Sequence, residues 1–247
     1  MNAVNVTVRA WVDEWLKRGQ FTLLPARCTL CGGAGTGDVD ICEKCRKELP
    51  WIGPACIRCA SPLPATGVCG RCMSRPDDPI AGTTAVFQYQ GTVTGLILGL
   101  KYGARLQAAR LLGELMAEIF MARNGAETPE VLMPVPLHRA RLRERGFNQA
   151  VEIARPLAAR VGTALDLDTC ERVRNTAEQT RLDAAARSRN LKDAFRVVRP
   201  LTYRHVAIVD DVLTTGSTVA SLAGVLRAAG VERIEVWSCA RALVTSR

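Results

Sequence analysis

Four Cys-x-x-Cys pairs follow one another in the first third of the chain, and they constrain its folding more than any other feature. The pairs are Cys28/Cys31, Cys42/Cys45, Cys56/Cys59 and Cys69/Cys72. Two thiolates separated by two residues can turn back onto one metal ion, and two such pairs complete a tetrahedral zinc site. A single pair would be weak support, since redox sites share the pattern, but four pairs in register predict two structural zinc ions.

An internal repeat indicates how the eight cysteines are shared between the ions. Residues 28–45 and 56–72 are near copies, and residues 50–54, which include two prolines, separate them. We therefore expect consecutive pairing, although a cross-braced arrangement would use the same residues. Four thiolates leave no position for water, so both sites should be structural. Residues 1–80 have a net charge of only +2, which favours a scaffold or docking module over a nucleic-acid contact.

Beyond residue 82 the chain alternates between strand and helix patterns. Strands are predicted over 83–89, 131–136, 205–209 and 234–237, and helices over 106–120, 149–161 and 217–229. This alternation predicts an α/β domain with a mostly parallel sheet. Apolar residues at helical spacing over 4–18 predict a further helix. We divide the chain into an N-terminal helix in 1–26, a double zinc module with four cysteines per ion in 27–74 and the α/β domain in 83–247.

Composition and charge exclude several classes of protein. The chain is 48% hydrophobic and 23% charged, values that exclude wholesale disorder, collagen and coiled coil. The longest apolar run, residues 96–100, is too short to span a membrane, and the N-terminus lacks the pattern of a signal peptide. Ten cysteines without an export signal predict metal ligands in the reducing cytoplasm. Residues 139–204 hold +7 of the net charge of +9.

The sharpest motif covers residues 206–218, where a buried strand is expected to end at Asp210 and Asp211 and a helix to open at Ser217. Free amides and the positive dipole end of a helix N-terminus favour a phosphate. Gly216 lets the backbone approach such a group. Hydroxyl donors are supplied by Thr214, Thr215, Ser217 and Thr218. The glycine spacing matches neither a Walker loop nor a dinucleotide fingerprint, and an ordinary capped turn would leave the two adjacent acids unexplained.

This stretch resembles the phosphoribosyl-pyrophosphate (PRPP) signature of type I phosphoribosyltransferases. With the Cys-x-x-Cys module and four other segments, it is similar to the ComF family, which includes ComFC and GntX-like proteins. Those segments are Pro134-Val135-Pro136-Leu137-His138-Arg139, Arg145-Gly146-Phe147-Asn148-Gln149-Ala150, Arg174-Asn175-Thr176 with Gln179-Thr180, and Arg189-Asn190 with Ala194-Phe195. The resemblance spans residue 27 to the end and implies a phosphoribosyltransferase-like domain in 83–247.

The resemblance also implies roles for residues. Asp210 and Asp211 would bind the PRPP ribose, and the segment from Thr214 to Thr218, including Thr215, Gly216 and Ser217, would bind its 5′-phosphate. Residues 137–145 fall where the family fold places a pyrophosphate loop. Residues 172–182 fall where it places a mobile loop, and Arg174 joins the two acids as a catalytic candidate. Lys101 matches a recurrent basic position. The resemblance implies Mg²⁺ bound with PRPP.

Four arginines in the predicted pyrophosphate loop agree with that role. Arg139, Arg141, Arg143 and Arg145 alternate, which would place all four on one side of an extended loop, where they could neutralise the departing pyrophosphate. A solvated basic face is the alternative interpretation. His138 is expected either to contact phosphate or to cap the loop. Cys170 and Cys239 are expected in the core, and His205 at a strand start.

Three functions remain open on the sequence. The first is an enzyme, a Mg²⁺-dependent glycosyltransferase that transfers phosphoribosyl to an unidentified acceptor. The second is a protein that binds single-stranded DNA, because ComF proteins are associated with competence and DNA uptake and the +7 segment can neutralise phosphates. Aromatic residues for base stacking are few, at 5%. The third is a regulator that senses PRPP without turnover; other competence proteins are candidate partners.

Overall fold

The computed structural model describes residues 27–36, 39–75, 78–123, 127–174 and 194–243. The chain divides into two compact units, the first ending at Leu49 and the second beginning at Pro50. The helix predicted within residues 4–18 lies outside the described residues. In the part of the chain that the structure describes, no helix combines the length and apolar character needed to cross a membrane.

The smaller unit is built around the first four cysteines. Helix α1, Glu43–Lys47, begins after Cys42, whose Sγ accepts a hydrogen bond from the Cys45 amide. The turn after Cys28 is closed by a hydrogen bond from the Gly32 amide to the Cys28 carbonyl, and Gly32 has φ +75°, a conformation open to glycine. Ile41 and Leu49 supply buried apolar surface.

The larger unit contains the parallel sheet that the sequence predicts. Its strands are β1 (Gly82–Gln88), β2 (Val131–Pro134), β3 (Ala164–Leu165), β4 (Cys170–Arg172), β5 (Phe195–Val197), β6 (His205–Leu213) and β7 (Arg233–Arg241). Five strands form a parallel sheet in the order β1-β7-β6-β2-β3, while β4 and β5 form a separate antiparallel pair. The central strands β6 and β7 are largely buried, as expected for a sheet covered on both faces.

The larger unit also contains six described helices. They are α2 (Gly70–Met73), α3 (Gly91–Gly103), α4 (Leu106–Met121), α5 (Arg139–Arg145), α6 (Gln149–Val161) and α7 (Ser217–Ala228). Helices α4 and α6 pack so closely that a Cβ on Gly113 would lie 2.4 Å from the Ile153 carbonyl oxygen. Pro156 lies inside α6, which continues through it, and contacts the same glycine.

The segment that separates the two cysteine repeats pairs with the sheet. The Ile52 amide donates to the Val86 carbonyl at 2.9 Å, and the Gln88 amide donates to the Pro50 carbonyl at 2.8 Å. Trp51 forms an antiparallel bridge with Phe87, and their ring centroids lie 4.7 Å apart. This segment therefore covers the edge of β1, which would otherwise expose unpaired backbone groups.

The fold class expected from the sequence, a parallel α/β sheet with an N-terminal cysteine-rich module, is confirmed. Cys170 and Cys239 are buried, and burial raises the pKa of the Cys170 thiol to about 12. Strands β6 and β7 run further than expected, and β2 ends at Pro134, two residues earlier than expected. Strand β6 does not end at the acidic pair but continues through it to Leu213, and β7 continues to Arg241, because the two strands remain paired in register to their ends.

Candidate functional site

The acidic pair lies where the connectivity of the sheet changes direction. Strand β3 lies on one side of β2, whereas β6, the next strand of the sheet along the chain, lies on the other. In open α/β sheets, ligands bind outside the carboxyl ends of the strands at such a switch point. Asp210 and Asp211 occupy the carboxyl half of β6, and the segment after β2 leads into His138 and α5. The predicted ribose and pyrophosphate residues therefore lie at the carboxyl ends of the adjacent strands β6 and β2.

Lys101 reaches the acidic pair from α3. Its Nζ lies 2.8 Å from Oδ2 of Asp211, and both side chains are only 14% exposed. The other carboxylate oxygen of Asp211 accepts a hydrogen bond from the Val212 amide at 2.8 Å. A buried ion pair of this kind holds both groups in place, because removing one partner would leave the other charge uncompensated. The structure thus gives Lys101, which matches a basic position that recurs in the ComF family, a specific partner.

Asp210 is harder to ionise than an ordinary carboxyl group. Burial raises the pKa of Asp210 to about 8, helped by the negative charge of Asp211 and opposed by Lys101. Its Oδ1 accepts a hydrogen bond from the Asp211 amide at 3.0 Å. Carboxyl groups with a strongly shifted pKa are common at functional sites.

The loop between β6 and α7 has the features that suit a phosphate. Gly216 has φ +80° and caps α7, a twelve-residue helix, without a side chain. The hydroxyls of Thr215 and Ser217 lie 2.8 Å apart, and the Ser217 amide donates to Thr215 Oγ1 at 3.3 Å. Amides and hydroxyls are therefore collected at the positive end of the helix dipole. We refer to residues 214–218 as the hydroxyl loop.

Arg241, at the end of β7, holds the hydroxyl loop in place. Its side chain is 3% exposed, and Nη1 donates to the Leu213 carbonyl at 3.0 Å and also to the Thr214 carbonyl. Burial lowers the pKa of Arg241, and the nearby positive charge of Arg71 lowers it further. The sequence patterns did not identify this residue. The only available signal was an arginine inside an apolar strand pattern, since its partners lie 27 and 28 residues away.

The four alternating arginines lie on a helix and not on an extended loop, which corrects the expectation that they share one side. His138 caps α5 by accepting a hydrogen bond from the Ala140 amide through Nδ1 at 3.2 Å. At 100° per residue, every second residue falls on an opposite face of a helix. Arg139 and Arg143 are exposed, whereas Arg141 and Arg145 are half-buried, and Arg145 lies over the Tyr102 ring at 5.7 Å.

The predicted mobile loop is described only at its start. Arg172 ends β4 and lies 5.6 Å over the Phe195 ring, and Arg174 is the last described residue before 194. Residues 175–182 lie outside the described residues. His205 lies at the start of β6 as expected, with Nε2 3.4 Å from Glu235 at the amino end of the sheet.

Both cysteine clusters have the geometry of a zinc site, with consecutive pairing. In each set of four, the sulfur atoms all lie within 4.8 Å of one another, and the sets are Cys28, Cys31, Cys42, Cys45 and Cys56, Cys59, Cys69, Cys72. The Sγ atoms of Cys31 and Cys42 lie 3.7 Å apart in the first site, and those of Cys59 and Cys69 lie 3.7 Å apart in the second. A tetrahedron with metal–sulfur bonds of ~2.3 Å has sulfur–sulfur edges of about 3.8 Å. The two four-cysteine sites are therefore consistent with two structural zinc ions.

The second four-cysteine site is bonded to the sheet. The Thr83 amide donates to the Ile57 carbonyl at 2.8 Å, and Thr83 Oγ1 donates to the Arg58 carbonyl at 2.8 Å. Ser61 links the site to Arg241, because its hydroxyl lies 3.2 Å from Cys59 Sγ and accepts from Arg241 Nη2 at 3.3 Å. A continuous set of contacts thus runs from a metal ligand to the hydroxyl loop.

A cavity of about 480 Å³ lies between the second four-cysteine site and the hydroxyl loop. Its lining includes Thr215, Gly216 and Ser217 of the hydroxyl loop and Cys59 and Cys72 of the second four-cysteine site. The cavity also has a basic lining: Arg58, Arg71, Arg75 and Arg241. Its volume is within the range of small-molecule sites. Neither Asp210 nor Asp211 lines it, so it extends away from the acidic pair.

Known proteins are similar in sequence to this chain, both in the cysteine module and over most of its length. The family model of the double zinc ribbon domain matches residues 21–73. The DNA utilization protein YhgH of Salmonella typhimurium (strain LT2) is 37% identical over 225 residues, covering 89% of this chain and 99% of that protein. YhgH of Escherichia coli (strain K12) is 37% identical over 227 residues with the same coverage. Competence protein F of Haemophilus influenzae (strain Rd) is 33% identical, covering 87% of this chain and 97% of that protein.

Similarity to a solved structure is more distant. A crystal structure of a hypoxanthine phosphoribosyltransferase from Staphylococcus aureus aligns with a TM-score of 0.32 and 14% identity. The alignment covers 58% of this chain and 77% of that chain.

Proposed function

Because the chain belongs to the ComF family, whose members include DNA utilization protein YhgH and Competence protein F, we propose that it binds PRPP with Mg²⁺ at the carboxyl edge of its sheet. The observation that supports this most is the combination of the acidic pair on β6 with the hydroxyl loop that opens α7. Asp210 and Asp211 accept hydrogen bonds from the ribose hydroxyls. The hydroxyl loop, from Thr214 to Thr218, binds the 5′-phosphate.

The charges around the acidic pair fit a polyphosphate ligand. Lys101 neutralises Asp211 at 2.8 Å, so the pair carries less negative charge toward the phosphates. Carboxylate and phosphate oxygens are the ligands that Mg²⁺ prefers. Arg141 and Arg145 lie on the half-buried face of α5, and Arg174 lies in the segment where the family fold places a mobile loop. We assign these arginines to the pyrophosphate.

The reaction that this site supports is phosphoribosyl transfer. The bond from the sugar C1 to pyrophosphate breaks, an acceptor nucleophile bonds to C1, and the acceptor loses a proton. Mg²⁺ bound with PRPP beside Asp210 and Asp211 would supply positive charge for the pyrophosphate. The arginines bind the leaving group, and the acidic pair orients the ribose. Release of pyrophosphate only when an acceptor is added would support an enzyme, and binding without release would support a regulator that senses PRPP.

Thermal unfolding tests the binding site directly. PRPP at 100 times its dissociation constant should stabilise the zinc-loaded protein by about 2.7 kcal/mol when Mg²⁺ is present. Asp210→Asn/Asp211→Asn should remove that shift. The control variant Asp168→Asn/Glu232→Gln changes two carboxyl groups that are exposed by more than half and should keep it. A wild-type protein that shows no shift would refute PRPP binding.

A second function, binding of single-stranded DNA, is supported by the names of the relatives and by the exposed face of α5. Arg139 and Arg143 point to solvent there, and Arg139 is 80% exposed. Removing one arginine–phosphate interaction lowers the salt slope of single-strand binding by about 0.7. Arg139→Gln/Arg143→Gln should therefore lower the slope by about 1.4, whereas Arg155→Gln/Arg199→Gln, at exposed positions elsewhere, should not change it. If the salt slope of Arg139→Gln/Arg143→Gln is unchanged, the exposed face of α5 does not bind single-stranded DNA.

We also propose a role in DNA uptake or DNA use, with competence proteins as partners, and a cytoplasmic location. The proposed location follows from the eight clustered cysteines, because a reducing compartment keeps thiolates available for zinc. Neither proposal is needed for PRPP binding.

A further inference from the structure

The cavity between the second four-cysteine site and the hydroxyl loop has a positive lining that PRPP binding does not use. A phosphate at the start of α7 would contact Thr215, Gly216 and Ser217, which are also one wall of the cavity. The cavity is also lined by Arg58 and Arg71 of the second cysteine repeat and by Arg75, which follows it. PRPP carries a single phosphate on its 5′ oxygen. The same cavity that the hydroxyl loop lines therefore also contains arginines that are not assigned to any phosphate of PRPP.

Two of the four lining arginines are committed to structural contacts, and two are not. Arg58 Nη1 donates to the Cys72 carbonyl at 2.9 Å, and Arg241 binds the hydroxyl loop. Within the described part of the chain, the guanidinium groups of Arg71 and Arg75 have no hydrogen-bond or ion-pair partner. Arg71 lies close enough to Arg241 for their charges to oppose each other. Arg241 Nε is buried and donates to no partner within the described residues.

The negative charge of the metal site does not cancel this lining. A zinc ion bound to four thiolates has a net charge of −2, and Cys59 and Cys72 line the cavity. Asp78 adds one further negative charge, and its Oδ1 accepts a hydrogen bond from the Ile80 amide at 3.0 Å. Among the described lining residues, the four arginines still outnumber these negative charges. The cavity therefore remains positive when zinc is bound and favours an anion.

Among the described residues, no aromatic side chain lines the cavity, so none of them offers a nucleobase a ring to stack on. Its arginines and hydroxyls match a compact phosphate, because guanidinium groups bind phosphate oxygens in pairs. We propose that this cavity is a second phosphate subsite, which binds the outer phosphate of a sugar 5-diphosphate while the inner phosphate occupies the hydroxyl loop. The subsite rests on the proposed function, since it extends the same phosphate loop.

Calorimetric titration of the zinc-loaded full chain with two ligands tests the subsite. Ribose 5-phosphate and ribose 5-diphosphate differ by one phosphate group. The wild-type protein should bind the diphosphate at least about tenfold more tightly. Arg71→Gln/Arg75→Gln should remove that preference and leave the affinity for ribose 5-phosphate unchanged. Arg71→Lys/Arg75→Lys keeps the charge and should keep part of the preference.

Arg155→Gln/Arg199→Gln removes the same charge from exposed positions outside the cavity and should keep the full preference. Zinc content and melting temperature identify any variant that fails to fold, and Arg75→Gln alone then replaces the double variant.

Equal affinity of the wild-type protein for both ligands would overturn the subsite and leave PRPP binding intact. A preference that survives in Arg71→Gln/Arg75→Gln would overturn it as well. No binding of ribose 5-phosphate would overturn both proposals together. A 5′-phosphorylated single-stranded DNA tetramer separates a nucleic-acid strand from a small diphosphate. If tetramer binding depends on the two arginines and diphosphate binding does not, the cavity binds a strand and the proposal is wrong.

Discussion

The two four-cysteine sites have the same backbone pattern but different surroundings. In both, the amide four residues after the first cysteine donates to that cysteine's carbonyl at 2.8 Å, and the residue there has a positive φ. The first site belongs to the smaller unit, and the second is bonded to the sheet and lines a cavity. One repeat thus forms a local core of the smaller unit, while its copy lines a cavity of the larger unit.

The residue five positions after the first cysteine illustrates how the copies differ. It is Gly33 in the first repeat and Ser61 in the second. The Ser61 hydroxyl joins Cys59 to Arg241, and Arg241 in turn binds the carbonyls of the hydroxyl loop. Because glycine has no side chain, the first repeat cannot make this connection. A duplicated motif can therefore acquire a new role through a few side chains without changing its metal ligands.

The largest expected effect comes from removing one metal site at a time. Cys56→Ser/Cys59→Ser should lower the free energy of unfolding in the main transition by on the order of 4 kcal/mol or more. The same variant should abolish stabilisation by Mg²⁺ and PRPP, because Arg241 loses its support. Cys28→Ser/Cys31→Ser should keep that stabilisation, since no residue of the first site lines the cavity. Calorimetry and zinc content, with one ion lost in each variant, provide the measurement. If both variants lose stabilisation by Mg²⁺ and PRPP, the two four-cysteine sites do not differ in their connection to the ligand site that we propose.

Most of the framework followed from sequence patterns that are local. The cysteine spacing predicted both metal sites, and the alternation of strand and helix patterns predicted the parallel sheet. These features depend on residues within one element or one turn. The hydroxyl loop at the start of α7 is also a local feature, because glycine and hydroxyl residues follow directly after a buried strand.

The features that sequence patterns did not predict depend on contacts between distant residues. The ion pair of Lys101 with Asp211 joins residues 110 positions apart, and Ser61 and Arg241 are 180 apart. The arginines of α5 were misinterpreted for a different reason. Their period of two suggested an extended loop, but arginine and glutamate are good helix formers and His138 supplies a cap. Local helix propensity therefore outweighed the alternation.

The second largest effect is a pH dependence of the free energy of unfolding, which we expect from Asp210 in the larger unit. Because the pKa of Asp210 is raised to about 8 in the folded protein, the folded state holds a proton that the unfolded state releases at a lower pH. Stability from this group is fully present below about pH 4 and is lost as the pH rises through 8. Between pH 5.5 and 8, the free energy of unfolding of Asp210→Asn should therefore change less than that of the wild type, by at least about 1.4 kcal/mol.

Urea unfolding followed by circular dichroism measures this change, because most described helices belong to the larger unit. Asp168→Asn, at an exposed carboxyl group, serves as the control. Parallel pH profiles for wild type and Asp210→Asn would show that Asp210 ionises normally.

A smaller effect is expected when residues 33 and 61, which occupy the same position in the two repeats, are exchanged. This exchange tests the contacts of Ser61 with Cys59 and Arg241. Ser61→Gly places the residue of the first repeat in the second and should cost about 1 kcal/mol, the usual value of a lost hydrogen bond. It should also weaken PRPP binding, because Arg241 loses one of its partners. Gly33→Ser should have little effect, since its Cβ would lie 3.5 Å from Cys31 Sγ, an ordinary contact. Unchanged PRPP affinity in Ser61→Gly would break the proposed link.

The smallest effect concerns the positive φ that both repeats require. Gly32 has φ +75° with open space around its Cβ position, and Ala60 has φ +55° with a methyl group that is 2% exposed. Gly32→Ala introduces strain without a clash and should lower stability by about 1 kcal/mol. Ala60→Gly should be nearly neutral, because relief of the strain is offset by the loss of a buried methyl group, about 0.8 kcal/mol, and by a freer unfolded chain. Zinc-loaded calorimetry of both variants measures the difference, and a large gain in Ala60→Gly would mean that strain at Ala60 dominates over its packing.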